Sequence, residues 1–370
     1  MSKVDLLLWI MIIVFLSGCG LSQTDIKQRE EYLYRAEAYY TSKKYMNALQ
    51  QLEYALKIDP ECKRAYLSRG WTYYYLGKYD SAEETFQKAS ILDDSDPWLH
   101  YGMGAVYYKK SLDSIQNIAE TINKIESGKS IQEKESLEKK WISTLDRYAK
   151  EKELFLRKSL DHLQKALEIS PDIIDLHKLI GLNYIARGRN SYLKAIECLD
   201  RYLSLLDTEH QSMDELKKNK ETERLKIGIK QTEKERLDLL LENLEKNKNE
   251  NRQQYQSALS TVAECFYLLS LWEKEESLRT GVSPEAIQKH QKNMQFYAEK
   301  ASVRLKMIIQ IAPEMADHYR NLAGISFLQG KTEEASKYLQ EYLDQYPLAD
   351  PKKRAQAKVQ LEYWQKEKQE

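Results

Sequence analysis

Apolar positions along Lys63 to Asp96 fall into two short helical stripes separated by a turn. The first predicted helix, Ala65 to Leu76, carries Leu67, Gly70 and Tyr73 on one side. Gly77-Lys78 predicts the turn. The second helix, Asp80 to Leu92, sets Ala82, Phe86 and Ala89 on one face. Small residues at Gly70 and Ala82 allow close approach, and Tyr73 and Phe86 fill the space beside them. The same offsets return elsewhere. Arg29 to Cys62 offers Tyr32, Ala36, Tyr39, Ala48, Leu52 and Ala55. Ala316 to Pro347 offers Tyr319, Leu322, Ala323, Gly330, Ala335, Leu339 and Tyr342. All seven prolines fall between helical patterns, at starts or just past ends, where a missing N–H costs least. An almost entirely α-helical chain is expected.

An aromatic, a small residue, a Tyr, then Ala, a large apolar residue and Ala over 34 residues resembles the tetratricopeptide repeat (TPR). Arg69 and Asp94 depart from it. The resemblance implies an all-α solenoid of helical hairpins with about six repeats, charged helical insertions and a C-terminal capping helix. Repeats one, two and the first helix of three span 29–110. An insertion at 111–152 delays the second helix of repeat three, which begins with Ser159, Leu163 and Ala166. The rest of repeat three and repeat four fill 153–207, with His177, Ile180, Gly181, Tyr184, Gly188, Ala195 and Leu199. A second charged insertion covers 208–251. Repeats five and six occupy 252–347, repeat five being degenerate with Leu259, Val262, Ala263 and Phe266, then Ala301, Leu305 and Ile308. Residues 348–370 form the capping helix, bearing Ala357, Leu361 and Trp364, because a last repeat has an apolar face to cover. The first insertion reads as a helical hairpin with its tip at Gly128, or as two helices extending past the solenoid. The second has a thin apolar stripe and reads as solvated helices.

The N-terminus changes the picture. Leu6 to Leu16 is apolar, too short to span a bilayer comfortably, and ends in Leu16-Ser17-Gly18-Cys19. That ending resembles the bacterial lipobox. The resemblance implies a lipoprotein signal peptide over 1–18, acylation of Cys19, and a polar tether over 19–28. Two or three acyl chains give a stable anchor, at about 0.8 kcal/mol per buried CH₂. Gly20, rather than Asp, follows the cysteine, which implies the outer membrane with the chain facing the periplasm.

Charge is balanced at 57 basic and 57 acidic residues, so no basic field favours nucleic acid. The cysteines left after Cys19 stand far apart at 62, 198 and 265, without disulfide or zinc spacing. Asn123 to Ser130 resembles a phosphate-binding loop, but Asn123 replaces its first Gly and no strand precedes it. Glu126-Ser127 is too little to mark a glycan lyase. His100 and His177 occupy the aromatic position of their repeats. No catalytic residue, metal site or cofactor is expected.

Within the TPR resemblance, the first helix of each repeat lines an inner surface. Tyr40 of repeat one, Trp71, Tyr74 and Tyr75 of repeat two, and Trp98, Tyr101 and Tyr108 of repeat three map there. The core positions of these repeats are already filled, so the seven rings are expected to form a partly exposed groove. Amphipathic rings suit a peptide or helix of a protein partner. The leading expectation is a non-enzymatic, membrane-anchored adaptor in an envelope complex, with no nucleic acid and no small-molecule substrate. Its rivals are an envelope enzyme, as a glycan lyase using Glu126 or a nucleotide hydrolase using Lys129, and a self-associating structural protein.

Overall fold

A computed structural model describes residues 21–127, 134–224, 231–347 and 349–367. Every regular element among them is helical. The chain divides into two compact units, Met1–Asp172 and Ile173–Glu370, each taken by itself below. The expected signal peptide, Cys19 and the hairpin tip at Gly128 lie outside the described residues.

Unit one holds α1 (Gln23–Thr41), α2 (Tyr45–Ile58), α3 (Lys63–Tyr75), α4 (Tyr79–Leu92), α5 (Pro97–Ser127) and α6 (Lys134–Ile169). The start of α1 corrects one expectation. Ser22 Oγ accepts from the Asp25 N–H at 3.1 Å, and Asp25 accepts from the Ser22 N–H at 3.3 Å. This capping box satisfies two donors that a helix start otherwise leaves unpaired. Residues 23–28, expected as tether, are therefore helix.

Repeats one and two turn by the same backbone device. The Gly77 N–H bonds to the Tyr74 carbonyl and the Lys78 N–H to the Tyr73 carbonyl. Lys43 and Lys44 repeat these bonds onto Tyr40 and Tyr39. The pair closes a helix end with one left-handed residue, Gly77 at φ 71° and Lys43 at φ 58°. Between repeats, a cation at the first position of each repeat holds the acid of the following turn. Arg29 meets Asp59 and Lys63 meets Asp93, both at 2.6 Å.

Phe86 is fully buried and marks the closest packing. A Cβ on Gly70 of α3 would lie 2.6 Å from its ring, and one on Gly102 of α5 would also collide with it. Repeat three uses the same contact, Gly104 against Leu163, although the insertion puts the two far apart in sequence. The Ser159 hydroxyl donates to the Gly104 carbonyl at 2.8 Å and locks that crossing.

Among the described residues, the first insertion adds no separate element. It lengthens α5 and α6 into one long antiparallel pair. Ser111, Ser114 and Thr121 are buried along α5, and each hydroxyl donates to a carbonyl of its own helix. Small polar residues thus fill the seam without leaving an unpaired group.

Unit two holds α7 (Ile174–Arg187), α8 (Tyr192–Arg224), α9 (Gln231–Ser277), α10 (Pro284–Ile311), α11 (Ala316–Leu328), α12 (Thr332–Gln345) and α13 (Pro351–Glu367), with a 3₁₀ turn at Arg189–Ser191. Gly188 (φ 102°) and Gly330 (φ 76°) stand at the turn position that Gly77 fills in unit one. Gly181 faces Leu199 as Gly70 faces Phe86. The second insertion lengthens α8 and α9, whose outer halves are tied by Lys217–Glu245 (2.7 Å), Lys248–Asp214 (2.5 Å) and Arg224–Asp238. The degenerate fifth repeat is packed all the same: Val262, Ala263, Ala301, Leu305 and Ile308 are buried. On α13, Ala357, Leu361 and Trp364 are buried, and Trp364 stacks on Phe327 with centroids 4.7 Å apart.

Candidate functional site

The predicted rings converge in unit one. The register of α3 puts Trp71, Tyr74 and Tyr75 within one turn, and α1 and α5 flank that helix. Tyr40 meets Tyr75 edge-on at 5.6 Å. Tyr75 lies 6.4 Å from Trp71 and 5.3 Å from Tyr74. Trp71 continues to Tyr101 at 5.2 Å, and Tyr101 to Trp98 at 5.9 Å. Six of the seven rings thus form one path across three successive first helices. Tyr108, half-buried, has no ring contact on this path but lies close enough to help raise the pKa of Tyr74.

Exposure divides the set. Tyr75 and Trp98 are 53% and 52% exposed. The other five are half-buried. Trp71 also stands edge-on to Phe86 at 5.8 Å, and with Tyr74 it packs against the core around that ring. The expectation that the core is complete without these rings is corrected here: Trp71 belongs to the groove and to the core.

Two further rings extend the path. Tyr45 stacks on Tyr75 at 5.8 Å and 12°, and Tyr79 lies 5.9 Å from Tyr74. Both begin the second helix of their repeats, whereas the sequence reading took only first helices as lining. Their signal was a Tyr directly after the turn lysine in both repeats.

A cavity of about 320 Å³ opens between α1 and α3, with Glu37, Tyr40, Arg64 and Trp71 among its walls. Arg64 reaches Glu30 at 3.2 Å and Glu37 at 3.3 Å, so its charge is matched inside the groove. Burial raises the Tyr40 hydroxyl, with Tyr75 and Tyr45 adding to it. Burial pushes Tyr74 up to about 12. Both phenols stay protonated through the physiological range.

A buried histidine pair lies elsewhere in unit one. His100 Nε2 donates to the Asp94 carbonyl at 2.8 Å, and its Nδ1 lies 3.1 Å from His162 Nδ1. In the neutral pair, His162 is then the donor. No group of three His, Cys, Asp or Glu among the described residues could hold a metal ion. Asn123 to Ser127 ends α5 as helix, and Lys129 and Ser130 lie outside the described residues. The three remaining cysteines are free thiols whose pKa values burial raises.

A family model of the TPR repeat matches residues 70–111, the stretch from Gly70 in α3 into the first half of α5. Residues 70–111 are thus a tetratricopeptide repeat, set in an all-α fold of TPR type. No curated protein matches its sequence. Among solved structures, the chain is similar to Pseudomonas aeruginosa PilF, at 11% identity and TM-score 0.46, covering 91% of this chain and 100% of that one. It is similar to a thermophilic TPR protein of Thermus thermophilus, at 12% identity and TM-score 0.31, covering 91% and 98%. It is also similar to the Thermobaculum terrenum O-GlcNAc transferase, at 16% identity and TM-score 0.34, covering 49% of this chain but only 27% of the transferase.

Proposed function

We propose that this TPR protein is a non-enzymatic adaptor that holds a segment of a protein partner against the rings of unit one. Its place is the bacterial envelope, anchored through acylated Cys19 in the outer membrane and facing the periplasm. The observation that carries the binding role is the unbroken ring path from Tyr40 to Trp98, with Tyr75 and Trp98 each about half exposed. Exposed aromatic clusters of this kind are where binding energy concentrates in protein interfaces.

The test follows from the exposure pattern. Tyr75→Ala with Trp98→Ala removes the outermost rings and leaves Trp71 on Phe86. Truncating a buried anchor often costs about 2 kcal/mol, roughly thirtyfold in affinity. Crosslinking capture from membranes should lose the partner with this variant, while circular dichroism and the melting point stay near the parent. Retention of every captured protein by a folded double variant refutes the groove as the binding surface.

A further inference from the structure

We propose that the cavity at the start of α11, in unit two, binds a small zwitterion: a free amino acid or a short peptide with both ends free. The site does not depend on the ring path of unit one. The cavity measures about 580 Å³, within the roughly 300–1,000 Å³ common for ligand pockets. Three elements wall it: α9 through Ser260 and Glu264, the first turns of α11, and the start of α13.

Unpaired polar groups single this cavity out. His318 lines it, is 4% exposed, and has no hydrogen-bond partner at either ring nitrogen. Burial lowers its imidazole below the ordinary value, so the ring is neutral and carries one donor and one acceptor. Arg320 Nε is also buried without a partner, and Asp317 Oδ1 stands 3.9 Å from it, too far for a hydrogen bond. No side chain caps α11, and its first residues line the same cavity. On α9, the Glu264 carboxylate makes no hydrogen bond or ion pair among the described residues. In the cavity of unit one, by contrast, Arg64 already has two carboxylates. Buried polar groups without partners are rare and costly, and a ligand that supplies the partners recovers that cost.

Charge selects the class of ligand. Two basic and three acidic side chains border the cavity, a formal sum of −1. Lys353 holds Asp317 at 2.7 Å, which cancels that pair. Asp350 is committed to α13, accepting from the Lys352 and Lys353 N–H groups at 2.8 and 3.1 Å. Arg320 and Glu264 are left, one cation and one anion, each without a close counterion. A lone anion would meet Arg320 but also three carboxylates. A lone cation would leave Arg320 Nε unpaired. A neutral sugar would give neither charge a counterion. A zwitterion matches both: its carboxylate goes to Arg320, beside His318 and the α11 N-terminus, and its ammonium to Glu264. Such charge-assisted bonds are roughly twice as strong as neutral ones.

The experiment titrates the full chain with the dipeptide alanyl-alanine by calorimetry. The comparators are the N-acetylated dipeptide, the dipeptide amide, inorganic phosphate and a neutral disaccharide. Alanyl-alanine should bind, and removing either end charge should weaken it about tenfold or more. Arg320→Gln should cost the free dipeptide a similar factor and leave the already weaker amide unchanged. Glu264→Gln should likewise spare only the acetylated form. Arg320 is half-buried and Glu264 exposed, so both variants should keep the parent circular dichroism. His318→Leu should weaken binding while raising the melting temperature, a pairing that a merely structural role does not produce. Tighter binding of phosphate, the disaccharide or a blocked dipeptide overturns the ligand class. Alanyl-alanine binding that Arg320→Gln and Glu264→Gln leave unchanged places the site elsewhere and overturns the proposal. So does a lack of binding by all five probes, or full affinity in a folded His318→Leu variant. None of these outcomes touches the groove of unit one.

Discussion

Phe86 leaves no room for a methyl group on either helix beside it. Its ring is fully buried, and side chains at Gly70 or Gly102 would both run into it. Gly70→Leu should therefore overpack this contact and lower stability by roughly 1–3 kcal/mol, read in urea melts. An unchanged midpoint would mean that the ring has space to move. His318 shows the opposite fault. It stands at the position filled by buried Ala65, Leu99 and Leu176 in other repeats, is itself 4% exposed, and finds no hydrogen-bond partner for either ring nitrogen. Replacing an unpaired buried polar group by an apolar one recovers its desolvation cost. His318→Leu should raise stability by about 1–2 kcal/mol, and a fall in melting temperature would contradict the unpaired state. His162 adds a pH dependence. Burial first, then His100 and Lys165, hold it down to about 4 against an ordinary 6.5. A depressed histidine contributes stability above the unfolded value, and that contribution is lost as pH falls from 6.5 towards 4. The loss should reach about 2–3 kcal/mol at most and should largely vanish in His162→Phe. Asp94 does not share this window, because Lys165 holds its carboxyl below the ordinary 3.8.

The turns between paired helices are nearly identical elements built from different residues. Gly77 and Gly330 reach positive φ without a Cβ penalty. Lys43 makes the same bonds at φ 58° with a side chain in place. A left-handed non-glycine residue costs roughly 1–2 kcal/mol. Lys43→Gly should recover part of it, giving a gain of about 0.5–1 kcal/mol in thermal or urea melts, less the entropy that glycine adds to the unfolded chain. A loss would show that the lysine side chain holds the turn. The long helices carry a second lesson at this scale. The insertions read in sequence as helical additions, the first as a hairpin or as two helices extending past the solenoid; the second alternative is what is seen, because α5, α6, α8 and α9 are each one helix whose inner half belongs to a repeat. Helical periodicity runs through such a junction without a break, so only packing separates repeat from extension.

For the whole molecule, the anchoring proposed at Cys19 would set what the groove can meet. Helix α1 begins at Gln23 behind the Ser22 cap, so only three residues separate Cys19 from helix. Three extended residues span about 10 Å. If Cys19 is acylated, the first repeat is held close to the lipid headgroups rather than on a loose leash. Cys19→Ala should abolish labelling by radioactive palmitate and release the protein from the membrane fraction. Labelling that persists in the variant would remove the lipobox reading and leave the groove untouched. No helix among the described residues is long and apolar enough to cross a membrane.

The repeats were legible because their physics is local and periodic. Gly70, Ala82, Phe86 and Ala89 sit at offsets that a helix turns into one face, and Gly77, Gly188 and Gly330 mark positions that favour a residue without Cβ. That six of the seven predicted rings share one path was legible for the same reason, since a solenoid repeats its lining positions. What each ring does was decided by contacts between helices. Whether Trp71 is core or surface depends on the Phe86 edge beneath it, and sequence spacing along α3 cannot show that edge. Gly102 matters because Phe86 of the neighbouring repeat reaches it, and Tyr45 joins the path because the turn brings α2 beside Tyr75. The His100–His162 pair joins residues separated by the whole first insertion. One-dimensional pattern specifies which faces are apolar. Which faces meet, and which rings are left half exposed for a partner, follows only from the lateral packing of one hairpin on the next.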